Sequence, residues 1–81
     1  MNDKIRNILD HPFTDSGLSP AESEVLEVAL KGKTNLIVAI EIKKSLPTVQ
    51  TLMFRGLGKL GISKSELGWW VLRRVKEALD G

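Results

Sequence analysis

Four side chains that can bind nucleic acid recur along residues 46–60 at the spacing of one helix face. They are Thr48, Thr51, Arg55 and Lys59, and positions three or four apart lie on the same side of an α-helix. Hydroxyls and cations of this kind contact phosphates and base edges, and arginine can make two hydrogen bonds to guanine. We therefore expect Arg55 to carry base specificity. Four further residues are expected to contact phosphates or the edge of a groove: Lys43, Lys44, Gln50 and Lys64.

The segment that positions these side chains is predicted to be an amphipathic helix. Ser45 is the expected N-cap, Pro47 suits the first turn, and Gly61 suits the end. Gly56 and Gly58 each cost about 1 kcal/mol against alanine inside a helix. Gly56 would allow a close helix contact and Gly58 a close approach of a backbone, unless both are simply tolerated. The face opposite the polar one is apolar: Leu46, Val49, Met53, Leu57 and Leu60.

The charges of the chain are unevenly distributed, although the net charge is only +2. Residues 1–42 hold four cations and seven anions, whereas residues 43–76 hold eight cations and one anion. A basic block that covers the proposed DNA-binding helix is the electrostatic pattern of a protein that binds a polyanion. The alternative is that these lysines and arginines only solvate helix surfaces.

Further helices are predicted at residues 2–10, 20–31, 35–44 and 63–79. Ser19 with Glu22, and Ser63 with Glu66, have the spacing of a capping box. The short connection at residues 43–45 between two helices is typical of a helix-turn-helix. The predicted fold is all-α: a small bundle of four core helices that contains a helix-turn-helix. Residues 1–17 are expected to be an N-terminal lead-in with a short helix, and residues 18–81 the domain itself.

Some apolar side chains fall outside the predicted core faces. In the helix at 35–44 they are Leu36, Ile37 and Ile40, which either complete the core of a small domain or bind a partner. In the last helix they are Trp69 and Leu72. Adjacent tryptophans point about 100° apart on a helix, so one of Trp69 and Trp70 should be exposed or in an interface.

The composition argues against catalysis. The chain has one histidine, His11, and no cysteine, and it offers no nucleophile–base pair. We expect no enzyme activity, no metal site and no cofactor. The lack of cysteine fits a reducing cytoplasm, and no apolar run reaches the ~18 residues of a membrane span.

Three short stretches follow one another in an order typical of a known family. They are residues 18–26 (LSPAESEVL), residues 32–39 (GKTNLIVA), and Thr48-Val49 with residues 59–62 (KLGI). Over residues 18–72 the chain resembles the DNA-binding domain of the LuxR/GerE family of bacterial transcription regulators. The resemblance implies four core helices, the third in the major groove of DNA and the fourth available for dimerisation.

The chain departs from the family pattern at several polar positions. Gln50 replaces a usual lysine, Leu52 a histidine and Ile37 an acidic residue, while Gly56 replaces an aliphatic residue. Thr48-Val49 with residues 55–60 also resembles region four of sigma factors, which implies promoter contact or association with RNA polymerase.

Two functions follow from these patterns. The first is a transcription regulator that binds duplex DNA through residues 46–60 and forms a homodimer through its C-terminal helix. The second is a divergent helix-turn-helix that binds another transcription regulator or RNA polymerase. The second function would use apolar positions: Leu36, Ile37, Ile40, Leu52, Phe54, Trp69 and Leu72.

Overall fold

The computed structural model describes residues 3–80 and contains only helices and the turns that join them. Five α-helices follow one another: α1 Asp3–Asp10, α2 Pro20–Ala29, α3 Asn35–Ile42, α4 Leu46–Leu60 and α5 Leu67–Asp80. A single 3₁₀ turn at Lys64–Glu66 precedes α5. The predicted all-α fold is confirmed, and the expected start of the first helix at Asn2 lies outside the described residues. No helix within residues 3–80 is long and apolar enough to span a bilayer.

The starts of three helices are fixed by hydroxyl caps. At α2 the Glu22 amide donates to Ser19 Oγ at 3.1 Å, and Glu22 Oε1 accepts from the Ser19 amide at 2.8 Å. This is the predicted capping box. Thr34 accepts from the Ile37 amide at 3.3 Å to cap α3, and Ser45 accepts from the Thr48 amide at 3.3 Å to cap α4.

Two helices end earlier than the sequence indicated. The last turn of α2 tightens, with the Gly32 amide bonded to the Ala29 carbonyl at 2.9 Å, so α2 stops at Ala29 and not at Lys31. Helix α3 stops at Ile42 because Lys43 adopts the left-handed conformation, with φ +59°. The Lys44 amide then bonds back to the Ala39 carbonyl at 3.0 Å, which satisfies an end-of-helix carbonyl.

The core is built where α2, α3 and α4 pack on one another and where α1 packs on α5. Val25, Leu26, Val38 and Val49 are completely buried. Gly56 lies at the contact of α4 with α2, where an added Cβ would be 3.1 Å from Leu26 Cδ1. Of the two explanations left open for Gly56, the structure favours the close helix contact.

The N-terminal lead-in contributes side chains to this core. Ile8 and Phe13 are buried, and the Phe13 ring stacks on Trp70 with 5.3 Å between centroids. The Arg74 guanidinium lies 5.3 Å from the centre of the Trp70 ring and donates to the carbonyls of Pro12 and Thr14 at 2.7 and 3.0 Å. The lead-in therefore packs on α5 through α1, through Phe13 and through the carbonyls of Pro12 and Thr14.

Candidate nucleic-acid interface

One face of α4 is exposed and polar, as the spacing of its residues predicts. Val49, Met53 and Gly56 turn inward and are buried, whereas Thr48, Thr51 and Arg55 are exposed on the opposite side. Gln50 is also exposed. The turn before α4 leaves Lys43 and Lys44 exposed at the N-terminal end of this face, which we call the α4 face: Lys43, Lys44, Thr48, Gln50, Thr51 and Arg55.

Most side chains of the α4 face have no partner in the part of the chain that the structure describes. Among residues 3–80, the side chains of Lys43, Lys44, Gln50, Thr51 and Arg55 make no hydrogen bond and no ion pair. A ligand can use these donors and charges without first breaking an internal contact. Three exposed cations and two exposed polar groups without internal partners favour a polyanionic ligand.

Lys59, which was expected to join this face, has a different partner. Its ammonium donates to Glu22 Oε1 at 2.7 Å, and the Glu22 residue is only 3% exposed. The hydrogen bond from Lys59, followed by that from the Ser19 amide, lowers the pKa of the Glu22 carboxyl below its usual value of 4.5, against the opposing effect of burial. The Glu22 carboxylate is therefore buried between α2 and α4 and joins the two helices.

Lys64 also makes an internal contact. Its ammonium donates to Asn35 Oδ1 at 3.1 Å, which links the 3₁₀ turn to the first residue of α3. Lys59 and Lys64 therefore hold helices together in this structure. The cations that remain available on this side are Lys43, Lys44 and Arg55.

Thr48 is oriented by its neighbour in the cap. Ser45 Oγ donates to Thr48 Oγ1 at 2.8 Å, so one acceptor site of the Thr48 hydroxyl is occupied. A hydroxyl carries one donor and two acceptor sites, and the Thr48 proton remains available to an acceptor such as a phosphate or a purine nitrogen. Thr48, Thr51 and Arg55 line a shallow groove along α4 with Pro47 and Leu52.

The apolar candidates differ in exposure. Leu52 is half-buried against the core, whereas Phe54 on the same helix is 81% exposed. On α3, Leu36, Ile37 and Ile40 are all exposed. On α5, Trp69 is 72% exposed and Trp70 is half-buried, which confirms that one of the two tryptophans leaves the core. Trp69 and Leu72 share an open groove with charged side chains: Glu66, Arg73 and Lys76.

The described residues contain no group of three or more histidine, cysteine, aspartate or glutamate side chains that could hold a metal. His11 is exposed beside α1. The site offers positive charge and hydrogen-bond donors on a helix face, and such groups bind a ligand.

Comparison of the chain with protein-family models, with curated proteins and with solved structures finds no match. The resemblance to LuxR/GerE domains therefore rests on the residues quoted above and stays a prediction.

Proposed function

We propose that this chain is a LuxR/GerE-like domain of a transcription regulator that binds duplex DNA by placing α4 in the major groove. The observation that carries the proposal is the α4 face, an exposed surface on which the side chains of five residues have no partner among residues 3–80: Lys43, Lys44, Gln50, Thr51 and Arg55. Helix α3 and the turn at residues 43–45 complete the helix-turn-helix. The proposal is of a binding protein without catalytic activity or cofactor, acting in the cytoplasm.

The proposal gives each residue of the α4 face a role. Arg55 is exposed on the outward side of α4 and reads guanine through two hydrogen bonds. Lys43 and Lys44 lie at the start of the helix and hold phosphates. Thr48, Gln50 and Thr51 donate to base edges or phosphates within reach.

A salt titration tests this proposal. Binding of the full chain to a labelled random duplex is followed by fluorescence anisotropy at several salt concentrations. We expect the affinity to decrease steeply as the salt concentration rises. The slope of log affinity against log salt concentration should become roughly one unit shallower for each of Lys43→Ala and Lys44→Ala. Lys31 is the matched control, because it is an exposed lysine beside Glu24 and Glu27, away from α4. Absence of binding at low salt would refute the proposal.

The α5 groove supports self-association as part of the same proposal. Trp69 and Leu72 are exposed one helical turn apart, with Glu66 at one end of the groove and Arg73 and Lys76 at the other. In a twofold dimer the same patch meets itself. Antiparallel pairing would bring the acidic end of one copy to the basic end of the other.

A second function is favoured by the exposed apolar side chains of α3. Leu36, Ile37 and Ile40 are exposed on a helix that packs beside α4, and exposed apolar patches often mark protein-binding surfaces. The partner would be another transcription regulator or RNA polymerase. Nuclear magnetic resonance with added duplex DNA discriminates between the two functions. Shifts at residues 48–59 favour DNA binding; shifts at residues 36–40 or 69–72 that appear only with a protein partner favour the alternative.

A further inference from the structure

Phe54 is the most exposed of the large apolar side chains among residues 3–80, at 81%. It lies on α4, one position before Arg55 and one turn after Thr51. An aromatic ring left in water on the face proposed to bind DNA is unexplained by folding, since the core is formed without it. The ring is therefore available for a ligand.

The surroundings of Phe54 are not those of a protein-docking patch. Its neighbours one turn earlier on α4 are Gln50 and Thr51, which are exposed and polar, and one turn later Gly58 has no side chain. Leu57, the apolar neighbour on the other side, is half-buried against the core. A protein-binding surface is usually a contiguous apolar patch, whereas Phe54 is one ring in a polar and basic surface.

The backbone after Phe54 is open. Side chains on a helix lean toward its N-terminus, so the Phe54 ring lies over the turn that contains Gln50 and Thr51. An added Cβ at Gly58 would meet nothing within 4 Å. At Gly58, on the C-terminal side of the ring, the outward surface of α4 therefore carries no side chain. A DNA groove can approach the ring from that side.

We propose that Phe54 determines part of the sequence preference by contacting the 5-methyl group of a thymine in the major groove. This inference rests on the proposed DNA-binding function and deepens it. The thymine methyl is the apolar group that the major groove presents, and phenylalanine is one of the side chains that contact it. Phe54 and Arg55 point about 100° apart on α4, on either side of Thr51, so the thymine and the base pair that Arg55 reads are two separate positions of the same site.

Replacement of thymine by uracil tests the contact, since it removes the methyl group and keeps the base pair. The preferred duplex is first selected from a random pool with the wild-type protein. Each thymine is then replaced singly, and affinities are measured by anisotropy. We expect uracil at one position of a half-site to weaken wild-type binding about fourfold, the effect of one buried methyl group. Phe54→Ala should bind thymine and uracil duplexes equally, and Phe54→Leu should keep part of the difference.

The controls separate this inference from the proposed function. Leu9→Ala, which removes an exposed apolar side chain from α1, should keep the full uracil effect. Thermal melting by circular dichroism checks that the Phe54 variants fold. A wild-type protein that binds DNA without a uracil effect, or a Phe54→Ala variant that retains the effect, overturns the inference and leaves the proposed function intact. If the wild-type protein does not bind DNA, both the inference about Phe54 and the proposed function are overturned. A role of Phe54 in binding a protein partner would in that case be seen as weaker partner binding by Phe54→Ala.

Discussion

The Lys59 ammonium donates a hydrogen bond to the Glu22 carboxylate at 2.7 Å and so joins α4 to α2. The same carboxylate oxygen accepts from the Ser19 amide at 2.8 Å to close the cap of α2. One buried oxygen thus serves both a helix start and a contact between helices. Charge-assisted hydrogen bonds of this kind are stronger than neutral ones. Arg55, one turn earlier on α4, has no such partner among residues 3–80.

Substitution of Lys59 and of Arg55 should therefore affect different properties. Lys59→Met leaves the buried Glu22 carboxylate without its cation, so we expect a lower melting temperature and an unchanged salt dependence of DNA binding. Arg55→Met should leave the melting temperature unchanged and relax discrimination at one base pair of the preferred duplex. Circular dichroism melting and anisotropy titrations measure both. A reduced salt slope for Lys59→Met without loss of thermal stability would show that Lys59 contacts phosphate.

Glu22 should make the protein sensitive to acid. Its pKa is held below the usual value of 4.5 by the hydrogen bonds from Lys59 and from the Ser19 amide. A carboxyl with a lowered pKa in the folded state stabilises the fold above its unfolded pKa and loses that contribution as pH falls through the folded value. The pKa of Glu66 is lowered in the same way, mainly by the hydrogen bond from the Ser63 amide. We expect the free energy of unfolding to decrease as pH falls below about 4.5.

Urea unfolding at pH 7, 5, 4 and 3 measures this dependence. Glu22→Gln should be less stable than wild type at pH 7, and the difference should shrink toward pH 3 because the wild-type carboxyl becomes protonated. Glu24→Gln is the matched control on the same helix, since Glu24 is exposed and has no side-chain partner among residues 3–80. Parallel curves for wild type and Glu22→Gln would contradict the role assigned to Glu22.

The helices and their caps could be predicted from the sequence because their signals are local. Ser19 and Glu22 are three residues apart, and Ser45 and Gly61 bound α4 as expected. The early end of α3 could not be predicted, since it depends on a left-handed lysine at position 43, where glycine or asparagine is usual. The apolar face of α4 was predicted by its periodicity, which needs no knowledge of the partner helix.

The candidate site was less predictable because its composition depends on contacts between distant residues. Lys59 and Glu22 are 37 positions apart, and Lys64 and Asn35 are 29 apart. A helical wheel places Lys59 on a polar face but does not say which neighbouring helix supplies a carboxylate. The structure thus pairs two of the lysines that were expected to contact DNA, Lys59 and Lys64, with side chains of other helices. One signal for this contact is local: Glu22 is the N3 residue of α2 and lies on the face that packs on α4. A buried carboxylate in that position needs a hydrogen-bond donor besides the Ser19 amide.

The two glycines inside α4 should respond differently to substitution. Gly58→Ala fills open space, so we expect the free energy of unfolding to rise by about 1 kcal/mol from helix propensity alone. Gly56→Ala should gain less, because the new Cβ would be 3.1 Å from Leu26 Cδ1 in the core. Gly56→Leu should lose about 1–3 kcal/mol through overpacking. Urea unfolding of the three variants measures these changes, and equal gains for alanine at both positions would contradict the close contact of α4 with α2.

Trp69 is expected to dominate self-association through α5. Its ring is 72% exposed and lies in a groove with Leu72, Glu66 and Arg73. Buried tryptophans at interface centres often contribute 2 kcal/mol or more, so Trp69→Ala should weaken the dimer by about 30-fold or more. Sedimentation equilibrium over a range of concentrations measures this change. The monomer should remain folded, because Trp69 lies outside the core.

Charge reversal tests the antiparallel pairing of two α5 helices in the proposed dimer. If the acidic end of one copy meets the basic end of the other, Glu66→Lys should weaken association by removing that attraction and adding like charges. Arg73→Glu should do the same, and the double variant Glu66→Lys/Arg73→Glu should recover part of the loss, since the exchanged charges again face opposite ones. For the Trp69→Ala variant the matched control is Leu9→Ala on α1, which also removes an exposed apolar side chain. A wild-type protein that stays monomeric at all concentrations, or single and double charge variants that associate equally, would exclude this antiparallel arrangement.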